Sequence, residues 1–274
     1  MPSARVEPHP SLSERREPSA FSLAGLWGYV RQITCVLRFF GTGLVVSPVC
    51  LVLSKVTRIP HSFGQELIRR LFANWLNFAV RIGVFEITIP EREKLSRIRG
   101  SILAPNHPSL LDAVFLLSVV PRTVCIMRAN LINDIFLGGA ARLAGYVPND
   151  CGSALVRHGV EKITAGENLL IFPEGTRTRG GALNPFKHGF ALIATKTGAP
   201  IQTIFIEREG RYLSKGVSLF AFARPPFRFR IHLGECVKAA PGETAHELSA
   251  RLERYFRDHL EDTGSDIRLK SPLS

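Results

Sequence analysis

Short apolar runs alternate with helical stretches from residue 83 onward, and this alternation constrains the fold more than any other feature. The runs are predicted as strands at 84–89, 101–105, 123–127, 168–172, 200–206 and 227–233. Helices are predicted at 109–119, 131–144, 153–165, 187–197 and 243–260. This order predicts an α/β domain with a largely parallel central sheet flanked by helices. Ligands bind such sheets at the carboxyl ends of the strands, so functional residues are expected in the loops there.

The charge of the chain indicates an anionic partner. The 274 residues carry a formal net charge of +12, and 45% of them are apolar, which excludes a wholly disordered chain. Residues 177–230 contain ten basic and two acidic side chains. This stretch is either a solvated basic face or a site for phosphate, a lipid headgroup or nucleic acid. Because no DNA- or RNA-binding motif accompanies the charge, no nucleic-acid partner is expected.

The N-terminal region is predicted to attach the chain to a membrane. Residues 1–20 are rich in proline and charge and are expected to form a disordered tail, followed by an anchor at 21–60. The apolar segment 33–54 is interrupted only by Arg38, but Pro48, Gly41 and Gly43 weaken one continuous helix. A short membrane span and a bent or re-entrant anchor in one leaflet are both compatible with this pattern, as is a buried core helix.

The remaining segments complete the expected domain organisation. Residues 64–82 have the spacing of an amphipathic helix that packs on the domain or on the membrane surface. The folded domain is expected at 61–262, with a C-terminal tail at 263–274. The five cysteines are scattered and form no C-x-x-C pair, which argues against a disulfide framework and a thiolate zinc site. No metal site is predicted.

The first candidate loop, Asn-His-Pro-Ser-Leu-Leu-Asp, follows the predicted strand at 101–105. Ser109 as N-cap with Asp112 at N3 matches a helix capping box. A capping box does not explain His107, whose neutral imidazole can accept a proton from a hydroxyl. Asp112 can hold the other ring nitrogen and stabilise the imidazolium. Because the chain has no Gly-x-Ser-x-Gly motif, the nucleophile is expected to come from the substrate.

The second candidate loop, Pro-Glu-Gly-Thr-Arg-Thr, follows the predicted strand at 168–172. Arg177 presents a planar fork of donors that suits a phosphate or a carboxylate. The alternative is a turn with a structural arginine–glutamate pair. Because Arg177 begins the basic stretch, an anion site is favoured.

Together these motifs resemble a known family. NHPSLLD at 106–112, FPEGTRT at 172–178, PFKHGF at 185–190 and Ala-Pro-Ile at 199–201 occur in the order typical of the glycerolphosphate acyltransferase family. Over residues 85–235 the chain most resembles its 1-acyl-glycerol-3-phosphate acyltransferases. The resemblance implies His107 as general base and Asp112 as its partner. It also implies that Glu174, Gly175, Thr176 and Arg177 shape the acceptor-phosphate site. Lys187 and Gly189 match the family's FKxG element, and Pro200 matches an apolar block that helps to form the acyl side of the site. The resemblance thus implies that all of these residues bind substrate.

One block departs from the family pattern. The family usually has a segment between the two motifs that begins with glycine and ends in arginine, whereas residues 145–150 read GYVPND without the arginine. This departure makes a non-phosphate acceptor from a specialised lipid or polyene pathway an alternative to lysophosphatidate. A non-catalytic protein that binds anionic lipid is a second alternative.

The reaction implied by the resemblance is acyl transfer from a thioester to an alcohol. The donor is acyl-coenzyme A or acyl carrier protein acting as co-substrate, and no cofactor or metal is expected. His107 removes the hydroxyl proton, and backbone N–H groups near the start of the Ser109 helix are expected to bind the oxyanion. Membrane lipids are the expected partners, with the protein at a membrane and its active site facing the cytoplasm.

Overall fold

A computed structural model describes residues 23–56, 59–150, 152–178, 183–210 and 212–267, with the backbone alone for 262–267. The predicted tail at 1–20 lies outside these residues. The strands are β1 (Phe85–Thr88), β2 (Ile102–Pro105), β3 (Thr123–Met127), β4 (Val147–Pro148), β5 (Asn168–Leu170), β6 (Ile201–Arg208) and β7 (Phe227–Val237), and six of these seven lie where strands were predicted. Only β4 was missed, because two residues are too few to show an alternating pattern.

The helices of the described residues also follow the predicted order. They are α1 (Leu23–Val56), α2 (His61–Arg81), α3 (Arg92–Ser96), α4 (Asp112–Val119), α5 (Ala129–Ile132), α6 (Gly138–Leu143), α7 (Ser153–Thr164), α8 (Gly189–Thr197) and α9 (Ala245–Ile267). The single helix predicted at 131–144 is two helices, because the Asp134 carboxylate accepts the N–H groups of Phe136 and Leu137 and starts a new helix there. Helix α9 continues to Ile267, past the predicted start of the tail.

The strands form one seven-stranded sheet in the order β1-β7-β6-β2-β5-β3-β4. Every neighbouring pair is parallel except β6 and β7, which confirms the largely parallel sheet. β2, β5 and β3 are consecutive in space and run in the same direction. The loops that leave their carboxyl ends therefore meet at one edge of the sheet.

Two apolar layers cover the sheet. On one face, Trp75 of α2 and Phe115 of α4 pack with Phe85 and Phe229 of the strands. A separate buried cluster on the other face joins α7, α8 and α9. Helix α2 therefore packs on the domain, which answers a question that its amphipathic pattern left open.

Helix α1 is one continuous helix of 34 residues with Pro48 inside it. The prediction that proline and glycine would weaken this helix did not consider its tertiary contacts. Gly139 of α6 donates its N–H to the Ser47 hydroxyl at 3.0 Å, beside the proline. A Cβ atom at Gly139 would lie 1.8 Å from the Ser47 carbonyl oxygen, so only glycine permits this close packing. Packing of α1 against α6 offsets the hydrogen bond that Pro48 cannot make.

Candidate active site

His107 and Asp112 form a hydrogen-bonded pair at the carboxyl end of β2. The imidazole Nδ1 lies 2.8 Å from Oδ2 of Asp112, whose side chain is fully buried. The His107 ring stacks on Phe172, with 3.9 Å between the ring centroids, and keeps 18% of its side chain exposed. A carboxylate only accepts hydrogen bonds, so Nδ1 carries the proton in the neutral ring and Nε2 has its lone pair available. The pair has the geometry of a general base and its orienting group.

Asp112 is held by more than the histidine. Its carboxylate accepts the Ser109 N–H at 2.8 Å and the Ser109 hydroxyl at 2.5 Å. The predicted capping box is only half correct: Leu111 is the N-cap and Asp112 the first helical residue, with no side-chain cap bond at Leu111. Ser109 therefore orients the carboxylate, and its hydroxyl also accepts the Leu111 N–H.

Three amides next to this helix donate within the protein. Besides those of Ser109 and Leu111, the N–H of Leu110 donates to the Leu213 carbonyl at 3.1 Å. These groups were the expected region of the oxyanion site. In this structure their hydrogen bonds orient Asp112 and hold the loop in place.

Glu174 connects the two motif loops from inside the protein. It is 2% exposed, and its carboxylate accepts the His107 N–H at 3.0 Å and the Thr178 hydroxyl at 2.9 Å. It also accepts the backbone N–H of Asn184 at 3.0 Å and its side-chain amide. The His107 carbonyl in turn accepts the Thr178 N–H at 2.8 Å. Both carboxylate oxygens have protein partners, so the geometry gives Glu174 a positioning role in place of the substrate contact that the resemblance implied.

Arg177 reaches the same edge of the sheet as His107. Its guanidinium donates to the carbonyls of Leu213 and Ser214 at 3.3 and 3.4 Å. Burial, and then the neighbouring Arg128 guanidinium, lower the pKa of Arg177 below its ordinary value, while the Asp112 carboxylate opposes this shift. A partly buried guanidinium next to another favours an anion between or beside them.

Gly175 and Lys187 fit together beside this arginine. Gly175 has a φ of +65°, and a Cβ atom there would lie 2.8 Å from Cδ and Cε of Lys187. The glycine thus provides both the left-handed turn and the space that the lysine side chain occupies. Lys187 also donates its backbone N–H to Pro173, which holds the segment against the motif loop.

A family model described as "Acyltransferase" matches residues 86–207. This range includes the loop that carries His107, the loop that carries Arg177, and the strands β2 and β5 that precede them. Residues 86–207 of the chain are thus similar to the acyltransferase family. Within this range, His107, Asp112, Glu174, Thr178 and Arg177 meet through the contacts described above.

Several curated acyltransferases are similar to the chain. A chloroplastic 1-acyl-sn-glycerol-3-phosphate acyltransferase of Brassica napus is 27% identical over 62% of this chain and 53% of that protein. The human 1-acyl-sn-glycerol-3-phosphate acyltransferase beta is 32% identical over 62% of this chain and 65% of that protein. A coconut (Cocos nucifera) 1-acyl-sn-glycerol-3-phosphate acyltransferase is 36% identical over 63% and 56%. The chain thus spans a little more than half the length of the Brassica relative.

A solved acyltransferase has the same fold. The crystal structure of the 1-acyl-sn-glycerophosphate acyltransferase PlsC from Thermotoga maritima aligns with a TM-score of 0.65, covering 85% of this chain and 97% of that chain. The sequences are 21% identical over the alignment, so this likeness describes the fold alone.

One predicted site residue, Pro200, lies at the opposite edge of the sheet from the imidazole. Pro200 precedes β6 and accepts the N–H of Ile102, at the amino ends of the strands. The length of β2 separates Pro200 from His107, which follows the carboxyl end of that strand. The geometry therefore does not support the acyl-side role that the resemblance implied for Pro200. Gly189 is the first residue of α8, where an added Cβ atom would make only an ordinary contact with Leu155.

The site includes residues that the motifs did not identify. Arg128 directly follows β3, the strand beside β5, and Lys215 donates to the Thr176 hydroxyl at 2.8 Å. Leu213 is 2% exposed and has a φ of +67°, a strained conformation for this residue. Its carbonyl accepts from both Leu110 and Arg177 and so links the two motifs. The only sequence signal for Arg128 and Lys215 was their positive charge, and Leu213 gave none.

The basic stretch is not one surface. Arg208 donates to the Pro108 carbonyl near the active site, whereas Arg228 on β7 pairs with Glu86 and Glu209. Arg179 and Arg211 lie outside the described residues. The excess of positive charge in residues 177–230 therefore did not show which of its basic residues lie near the active site.

Proposed function

We propose that this protein transfers an acyl chain from a thioester, on coenzyme A or acyl carrier protein, to the hydroxyl of a lysophospholipid. The proposed acceptor is 1-acyl-glycerol-3-phosphate and the product phosphatidate. The observation that carries the proposal is the His107–Asp112 pair hydrogen-bonded, through Glu174 and Thr178, to the loop that bears Arg177. The similar proteins of Brassica napus and human, both 1-acyl-sn-glycerol-3-phosphate acyltransferases, support the same acceptor.

The proposed step needs a base whose proton acceptor faces the substrate. Nε2 of His107 takes the hydroxyl proton as the acceptor oxygen attacks the thioester carbonyl, so the C–O bond forms. The C–S bond then breaks, and the imidazolium returns its proton to the leaving thiolate. Asp112 stabilises the positive ring in between, and general-base help of this kind contributes about 10²–10⁴-fold.

An apolar cavity supports a lipid substrate. It has a volume of about 390 Å³ and lies between α1, α2 and α4, lined among others by Phe39, Phe72, Trp75 and Val114. Leu111, which precedes Asp112, also lines it, so the cavity adjoins the proposed catalytic pair. We propose that the cavity holds an acyl chain, since apolar walls with few polar groups suit such a ligand.

We propose that α1 attaches the protein to one leaflet of a membrane. α1 is the one described helix that is long and apolar enough to span a bilayer. Its exposed apolar residues share one face from end to end, and its opposite face packs on α2, α6 and residues 219–221. Because the helix is about 51 Å long and docked along the domain, it suits the membrane surface better than a crossing. A cytoplasmic active site would meet the thioester donors.

The test of the reaction is thiol release from acyl-coenzyme A, and separately from acyl carrier protein, with a panel of acceptors. We expect release to depend on lysophosphatidate and to be lost in His107→Ala with the fold retained. Release that continues in this variant would remove His107 from the mechanism. Arg177→Ala should raise the acceptor KM by about 10–100-fold, since a charged hydrogen bond contributes about 1.5–3 kcal/mol.

The acceptor panel also addresses the alternative. The block at 145–150 forms β4 and its flanks and has no arginine, which favours a non-phosphate lipid alcohol. If the protein acts only on such alcohols, and Arg177→Ala leaves the acceptor KM unchanged, the acceptor is a non-phosphate lipid alcohol.

A further inference from the structure

A second apolar element lies beside α1. We call residues 218–226 the aromatic loop; it lies between β6 and β7. Its side chains Phe220 and Phe222 are 54% and 46% exposed, whereas Phe227 and Phe229 at the start of β7 are buried. Two large apolar rings on one short loop are more than scattered surface residues, and their position relative to α1 decides what they can contact.

The aromatic loop is attached to the N-terminal third of α1. The Tyr29 hydroxyl donates to the Phe220 carbonyl at 3.2 Å, and the Tyr29 and Phe222 ring centroids are 5.3 Å apart. The buried Gln32 side chain donates to the carbonyls of Leu219 and Ala221 at 3.2 and 2.8 Å. The loop therefore keeps a defined position along the helix.

The aromatic loop lies at the border of the exposed apolar face of α1. Leu26 is three residues from Tyr29 and shares its side of α1, and Trp27 and Val30 are exposed beside it. Phe222 contacts Tyr29, which lies between Leu26 on the exposed face and Gln32 on the packed face, so its ring flanks the apolar face. An aromatic ring next to aliphatic side chains is the composition found at the level of lipid headgroups.

The charges within α1 and within residues 212–230 are all positive, although Arg228 is paired with Glu86 and Glu209. Residues 23–56 and 212–230 contain no aspartate or glutamate. Their cations are Arg31, Arg38, Lys55, Lys215, Arg224, Arg228 and Arg230. Cations near a bilayer are attracted to anionic lipid headgroups, so both segments complement the same surface.

We propose that the aromatic loop enters the same leaflet as α1, as a second membrane contact, and that the leaflet is rich in anionic phospholipid. The inference rests on the proposed attachment of α1. Phe220 and Phe222 insert beside the N-terminal third of α1, and the exposed Arg224 of the same loop contacts the headgroups. Two contacts, one from α1 and one from the aromatic loop, hold the domain in one orientation on the membrane.

Tryptophan fluorescence with lipids brominated in their acyl chains tests the insertion. The chain has two tryptophans, and Trp75 is buried, so Trp27 reports on α1 in the wild-type chain. In a Trp27→Phe background, Phe222→Trp reports on the aromatic loop. The matched control is Leu192→Trp on α8, 37% exposed and on the other face of the sheet. The probe is phosphatidylglycerol vesicles containing brominated chains.

We expect quenching of the Phe222→Trp reporter to exceed that of the Leu192→Trp control by at least about twofold, because of these two positions only Phe222 reaches the acyl chains. Quenching of native Trp27 with no more than control quenching at Phe222→Trp would overturn this inference and leave the attachment of α1 intact. Quenching at neither position would overturn both. Acyl transfer to detergent-dispersed lysophosphatidate tests the proposed reaction independently of either result.

Vesicle partitioning gives a second measurement. Phe222→Ser should lower the partition coefficient on phosphatidylglycerol vesicles about tenfold, and Leu192→Ser should leave it unchanged. The wild-type chain should bind phosphatidylcholine vesicles more weakly. Equal binding to both lipids would overturn the anionic part of the inference. A chain that is dimeric without lipid, with its Phe222→Trp reporter shielded before vesicles are added, would assign the loop to a second copy.

Discussion

Replacing Asp112 by asparagine tests how the imidazole is oriented. Oδ2 accepts from both His107 Nδ1 and the Ser109 N–H, while Oδ1 accepts from the Ser109 hydroxyl. In Asp112→Asn one oxygen becomes an NH₂ group. A backbone N–H can only donate, whereas a hydroxyl can rotate and accept. The amide oxygen should therefore stay at the Oδ2 position, with the NH₂ group facing the Ser109 hydroxyl.

The expected loss of activity follows from this orientation. Reversing the amide would set two buried donors against each other at a cost of about 1–3 kcal/mol, so the tautomer with a protonated Nδ1 should persist. What is lost is the negative charge that stabilises the imidazolium. A hydrogen bond to a charged group stabilises by about 1 kcal/mol more than a neutral one. The attraction between two unit charges about 4 Å apart reaches about 4 kcal/mol at an effective dielectric constant near 20. We expect kcat to fall between about tenfold and about a thousandfold.

The assay combines steady-state thiol release with ¹⁵N NMR of ring-labelled histidine, in which His107→Gln assigns the resonance. Asp112→Ala should lose more activity than Asp112→Asn, because nothing then orients the ring, and Ser109→Ala alone should lose less. A loss of about 10⁴-fold in Asp112→Asn together with a ring protonated at Nε2 would refute the reasoning, since this is the outcome of a reversed tautomer.

Three further predictions concern the loops around this pair and the pH dependence of stability. Glu174→Ala should lower the free energy of unfolding in urea by about 2–4 kcal/mol, because it leaves buried amides unpaired, and an unchanged urea midpoint would contradict the positioning role. Gly175→Ala should destabilise the chain by at least about 1 kcal/mol, from its positive φ and the Lys187 contact, and equal thermal midpoints would contradict this account. Burial lowers the pKa of His232 below 6.5, and the neighbouring His259 lowers it further, while the Glu207 carboxylate opposes this shift. The unfolded chain therefore binds this proton first as the pH falls below about 6.5, so unfolding free energy should decrease there and His232→Gln should flatten the decrease.

Much of the fold could be predicted because it follows from local patterns. The strand at 101–105 was identified by its apolar run, and the loop after it by the change to polar residues and proline. The parallel direction of the sheet followed from strands that alternate with helices, and it predicted that His107 and Arg177 would share an edge. The helix boundaries at 112 and 138 were less well predicted, since they depend on the side-chain hydrogen bonds of Asp112 and Asp134.

The continuous α1 helix was beyond local reasoning. Helix propensity counts Pro48 and the nearby glycines against it, but Gly139 of α6 approaches Ser47 closely enough to stabilise this turn. Gly43 permits a close approach that propensity does not consider, since an added Cβ atom there would lie 2.7 Å from the Phe136 carbonyl oxygen, whereas one at Gly41 would meet no atom within 4 Å. Distant contacts thus outweighed local preference.

The sequence by itself determined the chemistry that is available: an imidazole and a carboxylate five residues apart after one strand, and a guanidinium after another. Only the tertiary structure decided what each group does. Glu174, placed by motif in the substrate site, is enclosed by His107, Thr178 and Asn184, while Leu213, which carries no motif, joins the two loops. The reason is physical: residue type sets what a side chain can donate or accept, but its partners are chosen by packing between segments that are far apart in the chain.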